Sequence, residues 1–356
     1  MSNKLNIAVI GYGGMGSWHV HLLMKMKEMN LCGIWDIDPS RRNEAASKGV
    51  YVYSSQKELL SDHNIEAVTI ATPNDSHLPI ALAVMKAGKH VICEKPVALN
   101  SNELLQMMHC AKETGVLFTV HQNRRWDEDF LIIKQLYEQQ TMGKVFHIES
   151  RVHGSRGIPS DWRNQQQHGG GMVLDWGVHL LDQMMMILRN KKPISVFAQL
   201  THVTNEAVDD GFLAHLQFED DMTFVVEVGT SNFISLPRWY IQGENGTAVI
   251  HDWKKNGEIV MVSDWEKRDA VPVVTAAGLT KTMAPRTDET VKRYPLPEVT
   301  ADIQDFYRNI LACVHDGAQP LIRQEEVLEV MHIMEAIFQS AKENRVVQFK
   351  ERIESR

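Results

Sequence analysis

The chain has 356 residues, 44% of them hydrophobic and 23% charged, with a formal net charge of −8. That length exceeds what one ordinary hydrophobic core serves, so two domains are expected, and the composition is that of a globular protein. An acidic balance without a basic block argues against nucleic acid and anionic membrane surfaces as partners.

Leu5 to Ile10 is a short, almost wholly apolar run, the pattern of a parallel strand covered on both faces. A helix follows over about 14–28, then a second apolar run, Leu31 to Trp35, that ends at Asp36. Further strands are expected at 67–71, 90–93 and 117–120. Helices are expected between them at 77–87 and 101–114, with Gly88 and Gly115 as stop signals. Strand–helix alternation of this kind builds a doubly wound parallel sheet.

Beyond Gln122 the rhythm changes. A helix over 127–140 leads into a strand starting between Gly143 and His153, and short strands follow at 196–202, 212–218, 223–228, 238–243 and 248–251. Phe212, Ala214, Leu216 and Phe218 alternate with Leu213, His215 and Gln217, as in an antiparallel sheet with one face packed. A helix over 175–188 interrupts these strands, and helices at 301–315 and 324–342 finish the chain. Residues 270–297, rich in Thr, Pro and Ala, read as a long stretch of little structure, either a disordered or lid-like loop or a plain surface connection. The division expected is a doubly wound domain over 1–122 and a second α/β domain over 123–356. The C-terminal helix can pack back on the first domain.

Cys32, Cys93, Cys110 and Cys313 show no C-x-x-C spacing, and Cys32 and Cys93 fall in expected buried strands, so reduced core thiols are expected rather than a disulfide framework. The start of the chain has no signal-peptide pattern and no apolar run reaches membrane-spanning length, which suggests the cytoplasm.

The chemistry begins at Gly11-Tyr12-Gly13-Gly14-Met15-Gly16, a glycine-rich turn between a strand and a helix. Gly11 allows the tight turn, Gly13 lets backbone approach a pyrophosphate, and Gly16 lets helix and strand pack closely. The helix N-terminus supplies N–H groups. Asp36 follows Gly16 by twenty residues, the distance at which a carboxylate accepts hydrogen bonds from the adenosine ribose and repels a 2′-phosphate. NAD is therefore favoured over NADP, although Arg41 and Arg42 lie where an arginine can hold that phosphate. Thr72-Pro73-Asn74 and His77 follow a strand at the carboxyl edge, where a bound dinucleotide must pass.

Glu94-Lys95-Pro96 ends the next strand. A lysine there can donate to a substrate oxygen and stabilise charge developing on it, and a surface salt bridge with Glu94 is the plainer alternative. Gly169-Gly170-Gly171 leads to Asp175 and His179, which are spaced i, i+4 and so share one helix face. An imidazole suits removal of a hydroxyl proton, with the aspartate either orienting the ring or sharing the substrate hydroxyl. A capping aspartate beside a packed histidine is the plainer alternative. A metal site there lacks a third ligand at suggestive spacing.

In this order these motifs resemble the glucose–fructose oxidoreductase, inositol dehydrogenase and rhizopine-catabolism (Gfo/Idh/MocA) family, over nearly the whole chain. Gly88-Lys89-His90-Val91 and Trp162-Arg163 add to the match. The resemblance implies an N-terminal Rossmann domain and a C-terminal α/β domain whose large, open, mostly antiparallel sheet is usually buried against another subunit. It also implies a cis peptide before Pro96. Lys95, Asp175 and His179 would be the catalytic set, with His179 the general base and Lys95 the donor to substrate. Glu94 would lie near the nicotinamide ribose, and Gln122, Trp162 and Arg163 near the nicotinamide or substrate.

The loop Gly154–Asp161 precedes Trp162 and should border the pocket, with Arg156 and Asp161 as binders of substrate hydroxyls. A polar pocket suits a sugar, glycoside or cyclic polyol, and oxidation at C3 of a pyranoside fits. The expected activity is an NAD-dependent dehydrogenase of such a secondary alcohol. Two alternatives are a glycoside-processing enzyme that recycles tightly bound NAD and a sensor without chemistry. Retention of Lys95, Asp175 and His179 argues against the sensor.

Overall fold

A computed structural model describes residues 4–267 and 271–349. Five strands, β1 (Leu5–Ile10), β2 (Met29–Trp35), β3 (Ala67–Ile70), β4 (His90–Glu94) and β5 (Phe118–His121), form an all-parallel sheet in the order β2-β1-β3-β4-β5. The chain thus starts in the middle of the sheet and winds outward both ways. That reversal of winding leaves a crevice at the carboxyl ends of β1 and β3. β1 and β3 are almost wholly buried because helices cover both faces.

Those helices are α1 (Gly14–Lys25), α2 (Pro39–Ser47), α3 (Gln56–Ser61), α4 (His77–Lys86) and α5 (Ser101–Thr114). α5 starts where the Asn100 side chain accepts from Glu103 N at 3.0 Å, a side-chain N-cap, and stops at Gly115. α2 and α3 were not foreseen from the sequence. α3 has only six residues, and α2 is polar with Ala45 alone buried, so neither carries a clear apolar period.

After β5 come α6 (Glu128–Glu138), β6 (Val145–His153), α7 (Val178–Ile187), β7 (Pro193–Thr201), β8 (Gly211–Phe218), β9 (Thr223–Gly229), β10 (Trp239–Gly243), β11 (Gly246–Ile250) and β12 (Gly257–Val262). A large sheet of order β15-β12-β11-β10-β6-β9-β8-β7-β16 completes the second layer system, where β15 is Val291–Tyr294 and β16 is Val347–Gln348. Only β6 and β9 pair in parallel. In β8 the alternation is complete: Phe212, Ala214, Leu216 and Phe218 are buried while Leu213, His215 and Gln217 are exposed.

The buried face lies under α7 and under α9 (Gln324–Glu343), which follows α8 (Gln304–Asp316). Val330, Met334 and Ile337 of α9 are buried, and Ala198 N donates to Ser340 Oγ at 2.9 Å. α8 and α9 also reach the parallel sheet. Tyr307 Oη lies 2.7 Å from His19 Nδ1, and Gln324 Nε2 donates to Phe118 O at 2.9 Å.

The stretch 270–297 is not a plain loop. It holds a hairpin, β13 (Val273–Thr275) with β14 (Gly278–Thr280), before β15 pairs with β12. Its strands are three or four residues long and largely exposed, so no apolar alternation marks them. Residue 270 lies outside the described residues. All four cysteines are free, Cys93 and Cys110 buried and Cys32 half-buried, not the core thiol expected. No helix among the described residues is long and apolar enough to cross a membrane.

Candidate active site

The glycine turn sits at the carboxyl end of β1. Gly11 N donates to Trp35 O at 2.8 Å, which ties the turn to β2. A Cβ at Gly16 would stand 2.0 Å from Gly11 O, so α1 can begin this close to the turn only without a side chain there. In front of Gly13 and Gly14, and so at the N-terminus of α1, a Cβ would meet nothing within 4 Å. Met15 follows in the first turn of α1, and Tyr12 is buried.

Asp36 organises this turn. Its Oδ2 accepts from Tyr12 N at 2.6 Å and its Oδ1 from Asp38 N at 2.8 Å. The two arginines beyond it are already engaged. Arg41 pairs with Glu44 at 3.1 Å, and Arg42 donates to the carbonyls of Asp36 and Ile37 at 2.6 and 3.1 Å.

At the end of β3, Thr72 Oγ1 accepts from Ser76 Oγ at 2.7 Å, and buried Asn74 donates to Gly169 O at 3.1 Å. Asn74 therefore joins the first sheet to the glycine run before Asp175. His77 turns inward. Its ring nitrogens lie 3.0 Å from Pro96 O and 2.9 Å from Thr72 O, so it braces the Lys95–Pro96 turn, whose peptide is cis. Two carbonyl partners favour a charged ring, but burial is the larger effect and pushes the imidazole below its ordinary range.

Glu94 also has inward partners. His19 Nε2 and His121 Nδ1 each lie 2.7 Å from its Oε1, and Lys95 N donates to its Oε2 at 3.2 Å. Burial would raise its carboxyl, but the flanking histidines outweigh that and hold it well below the usual carboxylate range. Among the described residues this is the one grouping of three metal-type donors. Because both rings bond the same oxygen, it closes on itself through hydrogen bonds.

Lys95 projects from the end of β4 to the start of the helical segment that carries Asp175. Its Nζ donates to Asp175 O at 2.9 Å and to Asp175 Oδ1 at 3.0 Å. Arg163 Nε donates to Asp175 Oδ2 at 3.0 Å, and Arg163 Nη1 to Asp161 Oδ2 at 2.7 Å. Burial pushes the Asp175 carboxyl up, yet Lys95 and Arg163 together hold it below its ordinary range. An ammonium has three donors, and Asp175 takes two of Lys95's, so one is left to point elsewhere.

His179 lies one turn on. The expected single helix over 175–188 begins as a π-turn, Val173–Gly177, before α7. Such bulges often occur at functional sites. His179 is buried and its Nδ1 has no hydrogen-bond partner. Burial, then the charges of Lys95 and Arg124, hold its imidazole well below the ordinary range, so it is neutral near pH 7.

The remaining expected residues divide. Gln122 is 1% exposed, and both atoms of its side-chain amide lack a partner. Trp162 stacks on the Arg163 guanidinium at 4.5 Å. Arg156 is exposed on its loop and is not among the residues joined by these ion pairs. The sequence reading missed Arg124 and two tryptophans. Arg124 lies 4.1 Å over the Trp176 ring and 5.4 Å from Trp253, and Trp176 packs its edge against His179 at 5.8 Å. Arg124 comes two residues after Gln122 and Trp176 directly after Asp175, which were the signals available, whereas Trp253 lies far off in sequence.

A dinucleotide fits these residues. Open backbone stands at the helix N-terminus, a carboxylate ends β2, and an orphaned buried amide at Gln122 can pair with a carboxamide.

Comparison with known proteins agrees. The model of the oxidoreductase family with an NAD-binding Rossmann fold matches residues 5–122, and the model of the GFO/IDH/MocA C-terminal domain matches residues 130–249. An NAD-binding protein from Listeria innocua superposes with a TM-score of 0.94 at 47% identity, covering 97% of this chain and 99% of that one. The oxidoreductase YdgJ of Escherichia coli is 29% identical over 96% of this chain and 98% of its own length. The NADP-linked scyllo-inositol 2-dehydrogenase IolW of Bacillus subtilis is 26% identical over 97% and 96%. With residues 5–122 and 130–249 both matched by models of one family, the chain is an NAD-binding oxidoreductase of the Gfo/Idh/MocA family.

Proposed function

We propose that this protein is an NAD-dependent dehydrogenase acting on a secondary hydroxyl of a sugar, glycoside or cyclic polyol, C3 of a pyranoside being one position that fits. The observation that carries this reading is the joining of Lys95, Asp175 and Arg163 in one ion-paired group beside a neutral His179 whose Nδ1 has no hydrogen-bond partner. His179 accepts the hydroxyl proton, for which a neutral imidazole is required. The free N–H of Lys95 donates to the same oxygen and stabilises the negative charge that grows on it. Asp175 fixes the lysine and, with Arg163 and Asp161, holds neighbouring hydroxyls. Bound nicotinamide supplies the hydride acceptor.

The choice of NAD over NADP rests on Asp36, with Arg41 and Arg42 both engaged elsewhere. A Rossmann half over 1–122 and a substrate half over 123–356 is the division this reading uses. The outward face of the large sheet, with Tyr240, Val225 and the Arg151–Glu227 pair, suits a second copy of the chain. Free cysteines suit the cytoplasm.

The test is reduced-nicotinamide formation by purified protein with NAD or NADP and a panel of hexoses, glycosides, inositols and sugar acids. Turnover confined to one group of polyhydroxy substrates supports the reading. Silence across the panel, with or without added cofactor, overturns it.

A further inference from the structure

The segment that carries Asp175 and His179 has no cap of its own. The Met172 side chain makes no capping bond at the start of the π-turn. The first N–H groups are instead met by a residue far along the chain. Met172 N donates to Asp209 O at 3.0 Å, and Val173 N donates to Asp209 Oδ2 at 2.8 Å. Asp209 comes from the connection between β7 and β8 and is 4% exposed.

The glycine run is shaped to admit it. Gly171 has φ +104°, and a Cβ there would stand 2.2 Å from Asp209 Oδ1. Gly171 N donates to Arg163 O at 2.9 Å and Asp175 N donates to Gly171 O at 3.0 Å. One glycine therefore lies between the anchoring carboxylate, the Arg163 backbone and the Asp175 backbone.

We infer that Asp209 is a positioning residue for the reaction: its carboxylate holds the start of the catalytic helix, and through it the placement of Asp175 and His179 against Lys95. The inference rests on the dehydrogenase reading above for the roles of those three residues. A carboxylate is suited to the task because it accepts at two oxygens and carries charge at a helix N-terminus, where negative charge is favoured.

The arrangement is costly to the fold. Burial raises the Asp209 carboxyl to about 6, against the pull of the N–H groups of Val173, Asp209 itself and Met172 and of the nearby His202 ring. A folded value above the unfolded one means that stability is fully present below the unfolded value and is lost as pH rises through about 6. At neutral pH the fold thus keeps a buried charge that works against it. A group serving only stability is not expected to behave so, whereas function often tolerates such a conflict.

Asp209→Asn tests this in the full-length protein. It removes the charge and leaves one acceptor oxygen, facing N–H groups with an amide. Expected at pH 8 are an unchanged or raised Tm and NAD affinity within twofold of wild type. Amide hydrogen exchange over 171–177 should be at least tenfold faster, with β1 and α1 unchanged. On a turned-over substrate, kcat should fall at least tenfold with little change in the KM for NAD. Gly171→Ala, which crowds the same carboxylate, should speed exchange in the same segment.

Unchanged exchange over 171–177 in both variants overturns the inference, whatever the activity. Faster exchange throughout the molecule, or a Tm loss that accompanies the fall in kcat, reduces Asp209 to a structural role and overturns it too. Local exchange that quickens while wild type turns over nothing on the panel upholds the anchoring and sinks the dehydrogenase reading instead.

Discussion

Lys95 Nζ is bonded twice to one residue, to Asp175 O at 2.9 Å and to Asp175 Oδ1 at 3.0 Å. The lysine closes β4 of the parallel sheet, and the aspartate opens the helical segment packed on the large sheet, eighty residues later. This contact spans the two layer systems and aims the remaining ammonium donor. It carries the reaction proposed above, and its consequences can be measured.

Lys95→Met should lower kcat by about 10²–10³-fold, since the donor to a developing oxyanion is lost. His179→Ala should lower it by about 10²–10⁴-fold, the usual worth of a general base. NAD affinity, set mainly by the glycine turn and Asp36, should change little in either. Steady-state kinetics with fluorescence titration of NAD checks this, and turnover within a few-fold of wild type in both variants would refute the mechanism.

The pH profile of oxidation should be unusually flat on its acid side. The base must be neutral to act, and burial with Lys95 and Arg124 holds His179 well below the ordinary histidine range. Activity should therefore fall only below the ordinary histidine range and stay level above it. Removing one of those charges with Arg124→Gln should move the acid limb upward, towards the ordinary range. An acid limb that stays put or moves down would show that Arg124 does not act on the base.

Asp36→Ala should reduce the preference for NAD over NADP at least tenfold, by losing both ribose acceptors and the repulsion of a 2′-phosphate. It should also weaken both cofactors, because Tyr12 N loses its partner in the turn. The ratio of kcat/KM for the two cofactors reads the first effect. A ratio that does not move would place cofactor choice elsewhere.

Arg125 is a buried cation held by Asp182 at 2.6 Å and Glu326 at 3.0 Å. Asp182→Ala leaves that charge without its fully buried partner and should cost about 3–5 kcal/mol. Urea unfolding followed by circular dichroism measures it. A loss under about 1 kcal/mol, the worth of an exposed pair, would mean that Glu326 and water compensate.

Much of this protein is legible in its residues one after another. Strand–helix alternation with a glycine turn at the end of β1 determines a Rossmann sheet, because buried parallel strands must be apolar throughout and a pyrophosphate needs bare backbone. Period-two alternation in β8 determines a sheet with one covered face. The i, i+4 spacing places Asp175 and His179 one turn apart and Lys95 at a strand end, because helix and strand geometry are local; that the lysine reaches the aspartate is tertiary.

What only the tertiary structure decides are contacts whose partners lie far apart in sequence. Asp209 reaching Val173, Glu94 taken up by His19 and His121, and Arg124 stacked on Trp176 beside Trp253 leave no local period to read. The short, exposed strands β13 to β15 escape for the related reason that they bury too little to leave a pattern. Burial itself belongs to the same class. The neutrality of His179 and the raised carboxyl of Asp209 arise from desolvation by the assembled core, a property that no short segment possesses alone.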